Sequence, residues 1–236
     1  MFANLTWGEA PVPQQVDALE ADALPDSTLP EVGLHADEVA MARAMPAARR
    51  GTFVAGRLAL RQALRVHGHD GEWPILRTAR GAPSLPDQVT GSIAHKQTLA
   101  IAAIAPRSNT MQHVGIDLER RPTEADLRRP SIAPRILLPN EQQRVAALAK
   151  STLHQRELEL VHFAVKEAVY KAIDPIVQRY VGFLEVELDL ELATVDSGSA
   201  KTRLHMPEFA TTPVALQATW RCADTWIIAA AMFGEP

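Results

Sequence analysis

Residues 153–174 read LHQRELELVHFAVKEAVYKAID, and Pro175 follows. Leu158, Val161, Val165, Ala168 and Ala172 recur at helical spacing, so the stretch predicts one long amphipathic helix that the proline should stop. Charge interrupts the pattern midway, at Lys166, Glu167 and Lys171. Glu167 and Lys171 lie one turn apart on a flank of the apolar stripe. They are either a surface ion pair worth about 0.3–0.5 kcal/mol or a carboxylate ligand beside lysines aimed at a pyrophosphate.

Upstream, Val114–Glu119 alternates as a strand does: Val114, Ile116 and Leu118 on one face, Asp117 and Glu119 on the other. Two carboxylates on one strand face, with no cysteine nearby, suit a hard cation such as Mg²⁺, which binds few carboxylates and completes its shell with water and phosphate. A solvated strand edge would carry the same pattern. Arg121-Pro122 ends the strand. A connection rich in proline and arginine (122–139) follows, and Asn140-Glu141 opens a helix to about Lys150. Beyond the long helix, Phe183–Val195, Val214–Arg221 and Thr225–Phe233 read as strands.

The N-terminal part repeats the theme. Thr52–Val66 is helical, with Phe53, Val54, Leu58, Leu60 and Leu64 at helical spacing, and Gly68–Gly71 ends it. Arg57, Arg61 and Arg65, four apart, form a basic stripe beside the apolar one. Gly91–His95 and Thr98–Ala105 read as strands joined by a tight turn, and Pro106–His113 as a loop. Residues 8–46, with Pro11, Pro13, Pro25, Pro30 and Pro46, read as loops around short elements. The run from Thr98 echoes the run from Thr225, an offset of 127 residues (225 − 98). Each run follows a long helix, which suggests two related α+β halves.

Composition sets the outer bounds. The 236 residues are 47% hydrophobic and 22% charged, which excludes disordered, collagenous and coiled-coil chains. The single Cys222 cannot form an internal disulfide, no Lys or Arg precedes Arg43, and the apolar run 226–233 is too short to span a bilayer. A cytoplasmic protein is the expectation. The net charge of −4 is uneven. Residues 1–42 hold eight acids and no Lys or Arg, whereas residues 43–80 hold eight arginines against Asp70 and Glu72. A local basic block in an acidic chain points to a phosphate-bearing ligand rather than to nucleic acid, with a solvated basic helix face as the other reading. His67-Gly68-His69 sits in a turn-rich loop, Cys222 has no histidine partner, and no Gly-rich phosphate loop is present.

Taken in order, Arg49-Arg50-Gly51-Thr52-Phe53-Val54-Ala55-Gly56-Arg57, Gly81-Ala82-Pro83, Gly91-Ser92-Ile93-Ala94-His95, Val114-Gly115-Ile116-Asp117-Leu118-Glu119 and Phe163-Ala164-Val165-Lys166-Glu167-Ala168-Val169-Tyr170-Lys171-Ala172 form a series. It resembles the 4′-phosphopantetheinyl transferase family, in its larger single-chain type acting on siderophore, nonribosomal peptide and polyketide assembly lines. The resemblance runs from about Arg49 to Phe183. Phe163 stands where many members have Trp, and Ala94 where relatives have Ser or Thr.

The resemblance implies an α+β fold of two similar halves related by a pseudo-twofold, each a long helix on a small antiparallel sheet, with the active site in the cleft between them. Residues 1–113 would bind the adenosine and 3′-phosphate of coenzyme A, and residues 114–236 would hold the metal and the chemistry. It assigns Asp117, Glu119 and Glu167 to Mg²⁺, with Asp117 also at the coenzyme. Lys166 and Lys171 fall near the transferred phosphate, and Arg49, Arg57, Arg77 and His95 at the adenosine end. The implied reaction moves the 4′-phosphopantetheine arm to a carrier-protein serine and releases adenosine 3′,5′-bisphosphate. Glu167 helps remove the serine proton and Lys171 offsets charge on the leaving phosphate. A monomer with no nucleic-acid and no stable membrane partner is expected. A catalytically weak coenzyme A- or carrier-binding homologue and another Mg²⁺-dependent nucleotide phosphotransferase are the alternatives. Carrier proteins of this family are expected to be acidic near the serine. That makes the 122–139 connection, with Arg128, Arg129 and Arg135 beside Leu127, Ile132, Ile136, Leu137 and Leu138, the expected docking surface, apolar with basic flanks. Those apolar residues could equally pack beneath the loop.

Overall fold

The computed structural model describes residues 5–11, 33–69, 71, 73–108, 112–149, 153–210 and 214–234. Pro13, Pro25 and Pro30, five of the N-terminal acids (Asp17, Glu20, Asp22, Asp26, Glu31), Asp70, Glu72 and Lys150 lie outside them. The described chain divides into two compact units, one ending at Pro106 and one beginning at Arg107.

In the first unit, β1 (Thr6–Pro11), β3 (Leu99–Pro106) and β2 (Val89–His95) form an antiparallel sheet in that order. Two helices precede β2: α1 (Ala36–Arg43) and α2 (Ala47–Val66). Helix α2 starts five residues before Thr52, because Pro46 caps it and the opening Arg49-Arg50 carries no apolar periodicity. Ala55, Ala59, Leu60 and Ala63 of α2 pack with Val89, Ala100, Ala102 and Ile104 of the strands. Gly8 allows the close approach: a Cβ there would stand 1.9 Å from the Ala59 carbonyl oxygen. The basic stripe is not a solvated face. Arg57 is 5% exposed, and Arg61 pairs at 2.8 Å with the fully buried Glu38, so only Arg65 stands out in solvent.

The second unit holds a five-stranded antiparallel sheet, β4-β8-β7-β6-β5. Its strands are β4 (His113–Arg120), β5 (Val186–Thr194), β6 (Ser197–Leu204), β7 (Ala215–Ala223) and β8 (Trp226–Gly234). Between β4 and β5 come two short helices, α3 (Glu124–Leu127) and α4 (Ala133–Ile136), then α5 (Pro139–Leu148) and the long α6 (Gln155–Val177). Pro175 does not stop α6. A proline in the last turn removes only its own N–H, so the helix runs to Val177 and ends at Gln178 with φ of 49°. No helix among the described residues is long and apolar enough to cross a membrane.

The two units share one plan. In each, the first strand pairs with the last, and a long helix crosses a glycine of that first strand. Gly115 repeats Gly8, since its Cβ would meet the Ala168 carbonyl oxygen at 2.0 Å. Gly8 pairs with Ala102 and Gly115 with Ala231, so the structural offset of the last strands is 129 residues (231 − 102). It is two residues from the offset read in the sequence, a shift that keeps the same face inward.

Candidate active site

The alternation of β4 holds, but its acidic face is no solvated edge. Gly115, Asp117 and Glu119 share the face on which α6 lies, and both carboxylates are 8% exposed. Val114, Ile116 and Leu118 are buried on the other face. Because Gly115 lets α6 come close, Lys171 reaches across. Its Nζ donates to Asp117 Oδ1 at 2.7 Å and to the Ile116 carbonyl at 2.8 Å. Asp117 Oδ2 is buried and has no hydrogen-bond partner among the described residues, a costly arrangement for a carboxylate. Glu167 sits one turn before Lys171. With Tyr170, Tyr180 and Phe183 it lines a small open cleft. Among the described residues no three His, Cys, Asp or Glu side chains converge into a ready metal cage.

Lys166 lies inside the unit, 1% exposed, and its Nζ donates to Glu141 Oε2, the Ile136 carbonyl and the Phe183 carbonyl. Those three acceptors match its three N–H groups. Burial pulls its pKa down, while Glu141 pulls it back up. Glu141, fully buried at the third position of α5, accepts from Leu138 N and Leu188 N as well. Glu38 repeats this in the first unit, accepting from His35 N, Ile75 N and Arg61. Neither glutamate was singled out in the sequence. The legible signal was an acid at the third helical position, where it closes a capping box.

In the first unit, Arg57 donates from Nε to the Ile75 carbonyl at 2.6 Å and lies over the Phe53 ring at 4.5 Å. Burial lowers its pKa to about 10, with Glu38 opposing and Arg77 and Arg61 adding to the fall. Arg77 is exposed at the start of a tight turn through Gly81, whose φ is 90°. Arg49 and His95 are exposed, whereas Ala94 is 2% exposed.

The family model of the 4′-phosphopantetheinyl transferase N-terminal domain matches residues 36–105, and that of the 4′-phosphopantetheinyl transferase superfamily matches residues 113–230. The chain is similar to the 4′-phosphopantetheinyl transferase Npt of Nocardia iowensis, 30% identical over 77% of this chain and 81% of that protein. It is 34% identical to Svp of Streptomyces mobaraensis over 71% of this chain and 63% of that one. PptT of Mycobacterium tuberculosis is 31% identical over 61% of this chain and 60% of its own length. Among solved structures, holo-[acyl-carrier-protein] synthase of Thermotoga maritima aligns at 24% identity over 52% of this chain and 63% of its own, with a TM-score of 0.35. The ACPS-CoA complex from Chronobacterium ammoniagenes aligns at 21% over 52% and 96%, with a TM-score of 0.39.

Proposed function

Because the chain belongs to the 4′-phosphopantetheinyl transferase superfamily and is an enzyme of that class, we propose that it transfers the 4′-phosphopantetheine arm of coenzyme A to a serine of an acyl or peptidyl carrier protein. Adenosine 3′,5′-bisphosphate is the second product. The observation that carries this reading is the Asp117–Lys171 pair, with Asp117 Oδ2 left unpartnered on the face it shares with Glu119.

Asp117 and Glu119, with Glu167 from α6, would hold Mg²⁺. The fit rests on a buried oxygen without a partner and on an all-oxygen donor set, which a hard cation prefers. When bound, Mg²⁺ neutralises charge on the pyrophosphate. Lys171, oriented by Asp117 and the Ile116 carbonyl, offsets negative charge on the departing phosphate as the phosphorus–oxygen bond breaks. Glu167 takes the serine proton, directly or through a water, so that the serine oxygen can attack phosphorus. Arg49, Arg57, Arg77 and His95 hold the adenosine end and its 3′-phosphate. Lys166, with its donors spent inside the unit, shapes the cleft wall through Phe183 rather than touching phosphate. On this reading residues 1–113 bind and residues 114–236 react, in a cytoplasmic monomer serving siderophore, nonribosomal peptide or polyketide synthases.

The test is the intact mass of an apo-carrier protein after incubation with this protein, coenzyme A and Mg²⁺. A gain of one phosphopantetheine is expected. Coenzyme A binding without any gain would favour the weak, binding-only homologue.

A further inference from the structure

Residues 73–76 form neither helix nor strand, so their backbone groups must find partners elsewhere. Three charged side chains, one from α1 and two from α2, supply them. The Ile75 N–H donates to Glu38 Oε1 at 2.8 Å, and the Ile75 carbonyl accepts from Arg57 Nε at 2.6 Å. Arg61 Nη2 donates to the Trp73 carbonyl at 3.0 Å and to Glu38 Oε2 at 2.8 Å. Glu38 and Ile75 are both fully buried. A buried ion pair such as Glu38–Arg61 is often worth no more to a fold than apolar residues of the same volume, because both charges must leave water. What it supplies is a fixed placement.

What is placed is charge. Arg57 and Glu38 grip the same residue from its two sides, and Arg77 follows Ile75 by two residues, within about 7 Å of chain. Arg77 lies over the turn glycine, since a Cβ on Gly81 would come 3.1 Å from its Nη2. Arg57 feels Arg77 and Arg61 as like charges and Glu38 as the opposing one. Among the described residues, three guanidiniums therefore meet one carboxylate here. Glu38 is taken up by Arg61, which leaves two positive charges over, on Arg57 and Arg77. A phosphate monoester carries about −1.5 to −2 near pH 7, which that surplus balances. We propose that Glu38 and Arg61 are positioning residues: acting through the Ile75 peptide, they hold Arg57 and Arg77 as a preset pair for the 3′-phosphate of coenzyme A. The proposal rests on the transferase reading and deepens it. Neither Glu38 nor Arg61 touches the ligand. They act by sparing the pair the ordering entropy that a phosphate would otherwise have to overcome on binding.

The experiment uses the full chain, its E38Q and R61K variants, and calorimetric titration of coenzyme A and dephospho-coenzyme A. E38Q keeps an oxygen for the Ile75 N–H but removes the charge that holds Arg61. The expected result is coenzyme A bound about tenfold more weakly by E38Q, with dephospho-coenzyme A changed by less than about twofold. In transfer to an apo-acyl carrier protein, the apparent KM for coenzyme A rises by the same factor and kcat does not move. R61K replaces the fork by a single ammonium and shifts both readings the same way by a smaller factor. A structural role alone would lower the melting temperature and leave the ratio of the two affinities as in the unmodified chain. That outcome overturns the positioning role, and so does an equal loss for both ligands. Amide hydrogen exchange of the unmodified chain makes the test without a substitution. By linkage, filling the phosphate site steadies the contacts that shape it. Saturating coenzyme A should therefore slow exchange over residues 73–77 at least about fivefold more than saturating dephospho-coenzyme A. Equal protection overturns the proposal. Equal affinity of the unmodified chain for the two ligands is a different failure, which removes the 3′-phosphate from the arginines and the positioning role with it. Failure of the unmodified chain to modify the acceptor overturns the transferase reading, while the ratio of the two affinities still decides the positioning role.

Discussion

Lys166 and Lys171 stand five residues apart on α6, and their surroundings set them different tasks. Lys171 faces Asp117 at the edge of the sheet, half-exposed, where its charge can act on a ligand. Lys166 is sealed among a carboxylate and two carbonyls. Asp117→Asn keeps the volume and an oxygen for Lys171 but removes the charge. Transfer should therefore fall by at least about 100-fold while the melting temperature barely moves. Near-normal turnover in saturating Mg²⁺, with a matching calorimetric melt, would take Asp117 out of the metal site. Lys166→Met should behave oppositely. It strands the Glu141 carboxylate in the core and should cost about 3–5 kcal/mol of stability, read by urea unfolding, with coenzyme A affinity kept in the folded fraction. A stable Lys166→Met protein that no longer binds coenzyme A would return Lys166 to the phosphate.

Elements with a strong apolar period were legible: α2, α6, β2, β3, β4 and β8 all fall within a few residues of their expected bounds. Elements built from small or polar residues were not. Strand β6 buries only Gly198 and Ala200 on its inner face, and α1 buries Glu38, which reads as a surface residue until its three donors are seen. The acids of β4 were legible as a pair, but their burial depends on a helix brought close by Gly115, which no strand pattern reveals. Gly115→Ala tests that closeness. With the Ala168 carbonyl at 2.0 Å and Ala172 N at 2.6 Å, α6 must shift, at about 2–3 kcal/mol, and transfer should drop with it. Gly8→Ala should destabilise comparably, and an unaltered melt for either would refute the shared plan. Between α5 and the β5–β6 hairpin, Glu187 is 8% exposed. The hydrogen bond from His205 does most to lower its pKa, to about 2, with Arg144 and Asn140 adding to the fall and burial opposing. A depressed carboxyl stabilises above its unfolded pKa and loses that contribution as pH falls through the folded one. The stability gap between the unmodified chain and Glu187→Gln should thus be widest above pH 5 and close toward pH 2, as measured by urea midpoints. A gap that widens on acidification would contradict the network.

One plan used twice has been filled with different residues, and on the proposed function that difference would divide binding from reaction. The paired glycines make Glu9 and Ile116 equivalent. Gln62 accepts from Glu9 N in the first unit, where Lys171 donates to the Ile116 carbonyl in the second. The first unit thus has a neutral side chain at the position that Lys171 takes in the second, and its eight arginines all fall within residues 43–80. Substitutions there should change coenzyme A affinity, and substitutions at Asp117, Glu167 or Lys171 should change turnover. The sharpest case is the 3′-phosphate. Arg49 is exposed, so Arg49→Ala should leave the melting temperature alone. It should weaken coenzyme A by about 1.5–3 kcal/mol while dephospho-coenzyme A, which lacks the phosphate, binds almost as before. Arg57→Ala should lose affinity and stability together, because its Nε also satisfies the buried Ile75 carbonyl. Calorimetric titration of both ligands into the unmodified chain and both variants separates the two effects. Equal affinities of the unmodified chain for coenzyme A and dephospho-coenzyme A would remove the 3′-phosphate from the arginines and His95 alike, and the basic block would need another anion to explain it.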